Sequence, residues 1–430
     1  LLLTANYYTQ PAINYYAFVC LTTVGFGDNP LQYQQKQAVT AVKVAPCCKM
    51  HNNGKSVLTA KEIEGLTPQE IFDHEKFEQL RTDCLTNNRN ECCKICWDQE
   101  DRGLNSYRMT SSWNFNKDLG DFRKELIEFD VSFSNKCNLI CRMCNFGGSH
   151  QFYKDVNYFK KHNMLSIMTE ATGGALSDGR DAIKTEDNMQ LNWLLENFKQ
   201  IRMLKVSGGE PLYDKKVLKL LNLIIKNDHA KNVRLQFHTN ATLLDKNAIE
   251  MLNNFKEQAH VFSVDGTENI YNYIRHNSSF DLIEENIANW IYNSKNIRSV
   301  GFNLVLSCLN VLNLREYFEW ITNSFLYKYN IKIHVSEIRP FTRGTSLYNM
   351  PIKLLEKSKN DLLMFQNPNE KMIKYDMKNI IRLIDLGIEK NTFEINKNLL
   401  KQEIELFDKS RSQSYKNYLN PLLINELDVI

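Results

Sequence analysis

From about residue 125 the hydrophobic pattern of the chain keeps changing period. Short runs in which apolar and polar residues alternate are separated by longer runs with apolar residues three or four apart. Residues 126–133 (LIEFDVSF), 201–207 (IRMLKVS), 232–239 (NVRLQFHT), 260–265 (HVFSVD), 299–307 (SVGFNLVLS) and 331–338 read as strands. Residues 186–200, 214–226, 243–255, 279–294 and 313–328 read as helices between them. Strands that alternate with helices predict a parallel α/β sheet or barrel. Within the strands, Leu235 and Phe237 oppose Gln236, His238 and Asn240. Phe262 and Val264 oppose Ser263 and Asp265, and Phe302, Leu304 and Leu306 oppose Asn303 and Ser307. If helices cover the apolar faces, the polar faces point inward. A closed eight-stranded barrel fills its interior mainly with branched apolar side chains. A polar interior therefore predicts an open, incomplete barrel around a polar ligand, with a sheet solvated on one face as the alternative.

The flanks read differently. Residues 1–124 carry short strands at best and a helix near 68–82, and residues 341–430 are helical by pattern and rich in Lys, Asn and Leu. The expected division is a cysteine-rich module (1–124), a partial barrel (125–340) and a helical C-terminal extension (341–430).

Composition narrows the function classes. The 430 residues are 43% hydrophobic and 24% charged, with a net charge of +3. This is a soluble globular balance and argues against a strongly electrostatic nucleic-acid or membrane partner. No signal peptide or lipidation motif is present, so a cytoplasmic location is expected. Leu1 stands where an initiator Met would, so the native start is expected upstream. The run Thr23-Val24-Gly25-Phe26-Gly27-Asp28 resembles a potassium-channel filter. A filter is held between spanning helices of about 20 apolar residues, and no such run exists here. The run is read instead as a turn in which Gly25 and Gly27 tolerate positive φ.

Ten of the eleven cysteines lie before residue 145. Clustered cysteines in a large chain without a secretion signal point to metal binding or catalysis rather than to a disulfide framework. Residues 135–148 read NKCNLICRMCNFGG, directly after the first barrel strand. Cys137, Cys141 and Cys144 have the spacing C-x3-C-x2-C, and three such thiolates can converge on an iron–sulfur cube. Three ligands on four irons leave one iron open, as a substrate-binding metal requires. Zinc is the alternative, although structural zinc sites usually show paired knuckles and four ligands.

Further elements fall at successive strand ends. Ser207-Gly208-Gly209-Glu210-Pro211 follows the second strand, where glycines let the backbone approach a ligand closely. His238-Thr239-Asn240 ends the third. Ser263-Val264-Asp265-Gly266 ends the fourth, with Tyr273-Ile274-Arg275 after it. Together with the cysteine triplet, these elements resemble the radical SAM superfamily over residues 126 to about 340. The resemblance implies a partial (β/α)6 TIM-type barrel. It also implies a [4Fe-4S] cluster on Cys137, Cys141 and Cys144, whose open iron binds S-adenosylmethionine. One electron from the cluster would break the sulfonium C–S bond, and the 5′-deoxyadenosyl radical would take hydrogen from a substrate. Gly208, Gly209 and Glu210 would hold the cofactor's amino group. Asn240 would belong to the same site, with Ser263 and Arg275 at its ribose and carboxylate. Met143 replaces a residue that is often aromatic in this family.

The N-terminal region resembles the SPASM/twitch-type branch, through Phe18-Val19-Cys20, Pro46-Cys47-Cys48 and Cys93-Lys94-Ile95-Cys96 with Ser106-Tyr107-Arg108. That resemblance implies an auxiliary iron–sulfur cluster. Cys93 and Cys96 are expected ligands, with Cys47 or Cys48 as a third and Cys20 as a fourth; Cys92 is an alternative to Cys93. A zinc ribbon is the competing reading of this module. Cys84 and Cys308 are expected to be ordinary buried thiols. The implied partners are a one-electron reductant of flavodoxin or ferredoxin type and a peptide or protein substrate. A nucleotide, sugar or cofactor precursor is the alternative substrate, and a metal-binding module without turnover is the alternative to an enzyme. His238, Lys205 and Asn303 are expected to face inward; His238 is read as a hydrogen-bonded histidine, with proton transfer or substrate binding as the alternative, and Lys205 can meet an anionic substrate or the cofactor carboxylate.

Overall fold

In the computed structural model, the residues described are 20–22, 43–45, 57–58, 62, 65–86, 88–101, 106, 127–144, 148–172, 189–329, 331–337, 343–365 and 370–430. The filter-like run 23–28 and Cys47 lie outside them. The chain groups into two compact units. One comprises Leu1–Gly25, Gln35–Val131 and Asp187–Leu204; the other comprises Phe26–Gln34, Ser132–Glu186 and Lys205–Ile430.

In the first unit, strands β1 (Cys20–Thr22) and β2 (Lys43–Ala45) pair antiparallel, with Cys20 opposite Ala45. The helix expected at 68–82 is two helices, Pro68–Phe72 and Glu75–Leu85. The first carries a capping box, in which Thr67 and Glu70 satisfy each other's backbone N–H groups. Its break at Asp73–His74 is set by His74, whose ring accepts from the Lys76 N–H and starts the second helix. A 3-10 turn, Glu91–Cys93, leads into the helix Lys94–Asp101.

A six-stranded parallel sheet runs in chain order: β3 (Glu128–Val131), β4 (Met203–Val206), β5 (Arg234–Thr239), β6 (Glu257–Ser263), β7 (Ile297–Leu306) and β8 (Ile331–Glu337). All six expected strands are present, in the (β/α)6 order that the alternation predicts. β5 to β8 are in parallel register, with Ser263 beside Asn303 and Asn303 beside His334.

The second unit is built on those registers. Leu235, Phe237, Phe262, Phe302 and Leu304 are all at most 1% exposed. Phe262 packs edge-on to Trp290 of the helix Phe280–Asn293, and Phe302 packs edge-on to Trp320 of the helix Leu314–Asn323. Each such ring contributes roughly 1.5–3 kcal/mol by leaving water. On the opposite face, Gln236, His238, Ser263 and Asn303 are half-buried. Alternation misses one detail. Gln258 and His260 lie on the covered face, where Gln258 accepts from the Trp290 indole N–H at 2.9 Å and His260 lies 4.5 Å from that ring. Trp290 brings a donor into the core, and Gln258 answers it.

The helix Lys215–Lys226 buries Val217, Leu220, Leu221 and Ile224, the i, i+3, i+4, i+7 stripe of an amphipathic helix. Between the cysteine loop and residue 186 the structure adds helices that the pattern did not call for, Tyr153–Lys161 and Leu165–Ala171. The C-terminal part is helical as expected: Ile352–Leu363, Glu370–Glu389, Phe393–Arg411 and Pro421–Val429. Among the described residues no helix is long and apolar enough to cross a membrane.

Candidate active site

The site is built on the loop Ser132–Cys144, which follows β3. A loop that must hold three thiols needs its own backbone satisfied first. Ser134 donates to Asp214 at 2.6 Å, and the Ser134 carbonyl accepts from Gly209 N at 3.2 Å. The Lys136 carbonyl accepts from Glu210 N at 2.8 Å. Cys137 N donates to His150 Nδ1 at 3.2 Å, and Ser149 donates to the Leu139 carbonyl at 2.6 Å. Ile140 N and Arg142 N donate to the carbonyls of His276 and Ile274. The loop is therefore pinned at nearly every residue before the chemistry begins.

Gly208 and Gly209 explain how two loops come this close. A Cβ on Gly209 would lie 2.1 Å from the Lys136 carbonyl oxygen, and one on Gly208 would lie 2.8 Å from Ser132 Oγ. Gly208 also sits at φ +121°, where a side chain is strained. The neighbour that these glycines approach is the entry to the cysteine loop.

Glu210 is 1% exposed. Its carboxylate accepts from Thr239 Oγ1 (2.7 Å), Asn240 N (2.8 Å) and Leu212 N (3.2 Å), so it ties the end of β4 to the end of β5. Burial pushes its pKa up to about 7 against the pull of those bonds. Asn240 carries the connection onward. Its Nδ2 donates to Asn138 Oδ1 at 3.0 Å and lies 3.8 Å from Cys137 Sγ. Ala241 follows at φ +63° with its methyl fully buried.

Cys137 and Cys141 are buried, and Cys144 is half-buried. Burial first, then the neighbouring Cys141, drives the Cys137 pKa well up; burial likewise raises that of Cys141, against Arg275. A metal that binds thiols displaces their protons, so burial of this kind makes any such binding pH-dependent. Donors already face the sulfurs: Leu139 N lies 3.4 Å from Cys137 Sγ, and Arg275 Nη1 lies 3.5 Å from Cys141 Sγ. Arg275 caps the helix Glu268–Ile274 and forms an ion pair with the fully buried Asp265 at 2.5 Å. Burial works against its charge, but Asp265, Cys141 and Tyr271 outweigh that and raise its pKa. Asp265 is fixed in turn by Val305 N at 2.8 Å.

Among the described residues, no group of three His, Cys, Asp or Glu side chains is arranged to hold one metal ion. A four-iron cube does not ask for that, since each thiolate takes its own iron. Three thiols on one pinned loop, with N–H donors and a guanidinium beside their sulfurs, fit such a cluster. Met143 packs against Cys137, Leu139 and Cys141. Ser263 stands half-buried at the end of β6.

One layer below, His238 Nε2 meets Gln236 Nε2 at 3.2 Å, and its Nδ1 meets Asn303 Nδ2 at 3.4 Å. Burial, then the charges of His334 and Lys205, lower the His238 pKa to about 4. In the first unit, Cys93 at the end of the 3-10 turn and Cys96 in the first turn of the helix after it are both buried, while the side chain of Cys20 lies outside the described residues. The side chain of Cys84 is likewise outside them. Cys308 is buried and donates its S–H to the Ser346 carbonyl.

Sequence reasoning missed the support from the C-terminal part. Arg142 pairs with Asp408, Arg343 with Glu403 and Arg411 with Asp155, all with buried side chains. No local pattern marks these partners.

Residues 131–319 match the family model of the Radical SAM superfamily. No curated protein matches the chain. Among solved structures, hexahistidine-tagged anSMEcpe with bound AdoMet is similar at 17% identity and a TM-score of 0.37, covering 54% of this chain and 56% of that one. Streptococcus suis SuiB bound to the precursor peptide SuiA is similar at 14% identity and a TM-score of 0.36, covering 68% and 62%. SuiB bound to S-adenosylmethionine is similar at 15% identity and a TM-score of 0.35, covering 69% and 61%. The matched part thus spans only 56% to 62% of the length of these three structures. The cysteine triplet, the Gly208–Glu210 turn, Asn240, Ser263 and Arg275 all fall inside the residues that the family model matches, and on that match this chain carries a Radical SAM superfamily domain.

Proposed function

We propose that the protein is a radical SAM enzyme acting on a peptide or protein side chain. When bound, a [4Fe-4S] cluster supplies one electron that splits S-adenosylmethionine into methionine and a 5′-deoxyadenosyl radical, which takes a hydrogen atom from the substrate. Cys137, Cys141 and Cys144 are the proposed cluster ligands. The observation that carries this reading is their common loop, pinned to the ends of β4 and β5 and faced by Arg275 at 3.5 Å from the Cys141 sulfur.

The remaining residues bind and orient. Arg275 keeps a positive charge beside a thiolate ligand, which offsets the negative charge of the metal centre. Asn240, Ser263 and the Gly208–Glu210 turn surround the cofactor. Glu210, already committed to three donors, acts by holding Thr239 and Asn240 in place. The half-buried Gln236, His238 and Asn303 line the polar face toward the substrate. His238 serves there as a neutral hydrogen-bonding group near pH 7.

An auxiliary iron–sulfur cluster in the first unit belongs to the same proposal, with Cys93, Cys96, Cys20 and Cys47 as ligands. The pairing of Cys20 with Ala45 supports it, because Ala45 precedes Cys47 by two residues in the sequence. A reductant of flavodoxin or ferredoxin type and a cytoplasmic setting go with this chemistry. Anaerobic reconstitution with iron and sulfide tests the metal content. About eight irons per chain supports two four-iron clusters, and about four with one zinc leaves only the first. A Cys141→Ala chain that still takes up the parent's full iron contradicts the assignment of the triplet.

A further inference from the structure

The cysteine loop is gripped from below by a buried set of charges. Arg343 Nη1 donates to the Cys144 carbonyl at 3.1 Å, and Nη2 donates to the Arg142 carbonyl at 2.5 Å. The same guanidinium meets Glu403 Oε1 through Nε at 3.0 Å and through Nη2 at 2.5 Å. Glu403 Oε2 accepts from Thr345 N at 2.8 Å and from Thr345 Oγ1 at 3.1 Å. Arg343 is 4% exposed and Glu403 is 1% exposed.

A second pair repeats the design. Arg142 follows Cys141 directly. Its Nη2 meets Asp408 at 2.5 Å, its Nε donates to the Tyr273 carbonyl at 3.1 Å, and its guanidinium lies 3.6 Å over the Tyr273 ring. Tyr273 in turn donates its hydroxyl to Asp408 at 2.8 Å. Glu403 and Asp408 both belong to the helix Phe393–Arg411. Gly344 lets the Arg343 segment reach that helix, since a Cβ there would lie 2.3 Å from the Leu399 carbonyl oxygen.

Buried ion pairs contribute little to stability over apolar residues of the same volume. An arginine fork offers something an apolar residue cannot, which is to bind a carboxylate and two carbonyls in one fixed plane. Here those carbonyls belong to residues 142 and 144, on either side of Met143.

We propose that Arg343 and Arg142, anchored by Glu403 and Asp408, are positioning residues for Cys141 and Cys144, and that the helix Phe393–Arg411 is thereby part of the cluster site. The proposal rests on the cysteine triplet being the cluster ligands. Arg343 sets the direction in which the Cys144 thiol leaves the backbone, and the charge balance of the Arg343–Glu403 pair is felt at the metal.

The test uses the full-length reconstituted protein, with iron per chain, the EPR signal that changes on adding S-adenosylmethionine, and the midpoint potential of that signal. Arg343→Met is expected to lose that signal and as much iron as Cys144→Ala does, while its far-UV circular dichroism stays that of the parent. Glu403→Gln keeps the shape of the pair but leaves a buried positive charge near the cluster. It is expected to retain the iron and to shift the midpoint potential to more positive values, since added positive charge favours the reduced state. Arg343→Lys, with charge but no fork, is expected to fall between parent and Arg343→Met in iron. If Arg343→Met does not fold, Glu403→Gln decides alone: an unchanged potential and signal overturn the proposal. Iron, signal and potential all equal to the parent in Arg343→Met overturn it as well. A parent protein that takes up no iron overturns the cluster assignment itself, and the clamp falls with it. A parent that takes up iron beside an equally loaded Arg343→Met overturns the clamp alone.

Discussion

Gly209→Ala is the smallest change that disturbs the site through its scaffold. The added methyl carbon would stand 2.1 Å from the Lys136 carbonyl oxygen, 2.5 Å from its carbon and 2.8 Å from the Asn135 carbonyl carbon. All three are backbone atoms, so no side chain can swing aside. The shortest contact that real Cβ atoms make is about 3.0 Å, so the Lys136 carbonyl must retreat by roughly 0.9 Å. That movement stretches the Glu210 N–H bond to the same carbonyl from 2.8 Å beyond hydrogen-bond range. Forcing a methyl into such a contact costs about 1–3 kcal/mol, and the lost bond adds about 1 kcal/mol. The expected destabilisation is therefore about 2–4 kcal/mol. Because Lys136 precedes Cys137, iron uptake at the triplet should fall with it. Urea unfolding followed by circular dichroism, with iron measured in parallel, reads both. Gly65→Ala is the control: its φ of +79° carries strain, but nothing lies within 4 Å of the new methyl, so about 1 kcal/mol and normal iron are expected. Gly209→Ala that matches the control in both measurements refutes the close-approach argument.

Other outcomes follow from the same geometry. Arg275→Met strands the fully buried Asp265 and should cost about 3–5 kcal/mol, of which Asp265→Asn in the same chain recovers a part; a double variant no more stable than the single one in urea contradicts the pairing. Glu210 binds its proton more tightly folded, at about 7, than unfolded, at 4.5, so it lowers stability as pH rises through that window, by at most about 3 kcal/mol. The parent should therefore lose stability relative to Glu210→Gln between pH 5 and pH 7, and a constant difference between the two refutes the shift. His238, with a pKa of about 4, should show no titration by histidine NMR from pH 8 down to pH 5.5; a midpoint near 6.5 contradicts its burial.

What the sequence reveals here follows the range of the interaction. Strand alternation is local, so Leu235 and Phe237 against Gln236 and His238 are legible as two faces from the sequence alone. The cysteine spacing is local too, and so is the glycine turn, although the sequence does not say that Lys136 is what Gly209 approaches. Gln258 and His260 defeat the alternation because their partner, Trp290, lies on a helix some thirty residues on. The grip on the cysteine loop is less legible still. Arg142 and Asp408 are 266 residues apart, and neither looks different from a solvated charge in its own neighbourhood. The same holds for Arg343 and Glu403, which are 60 residues apart.

The most direct measurement is product formation. The anaerobically reconstituted protein is reduced with dithionite in the presence of S-adenosylmethionine, and the mixture is analysed for 5′-deoxyadenosine and methionine. The account predicts both products from the parent and neither from Cys141→Ala. A parent fully loaded with iron that yields no 5′-deoxyadenosine contradicts it.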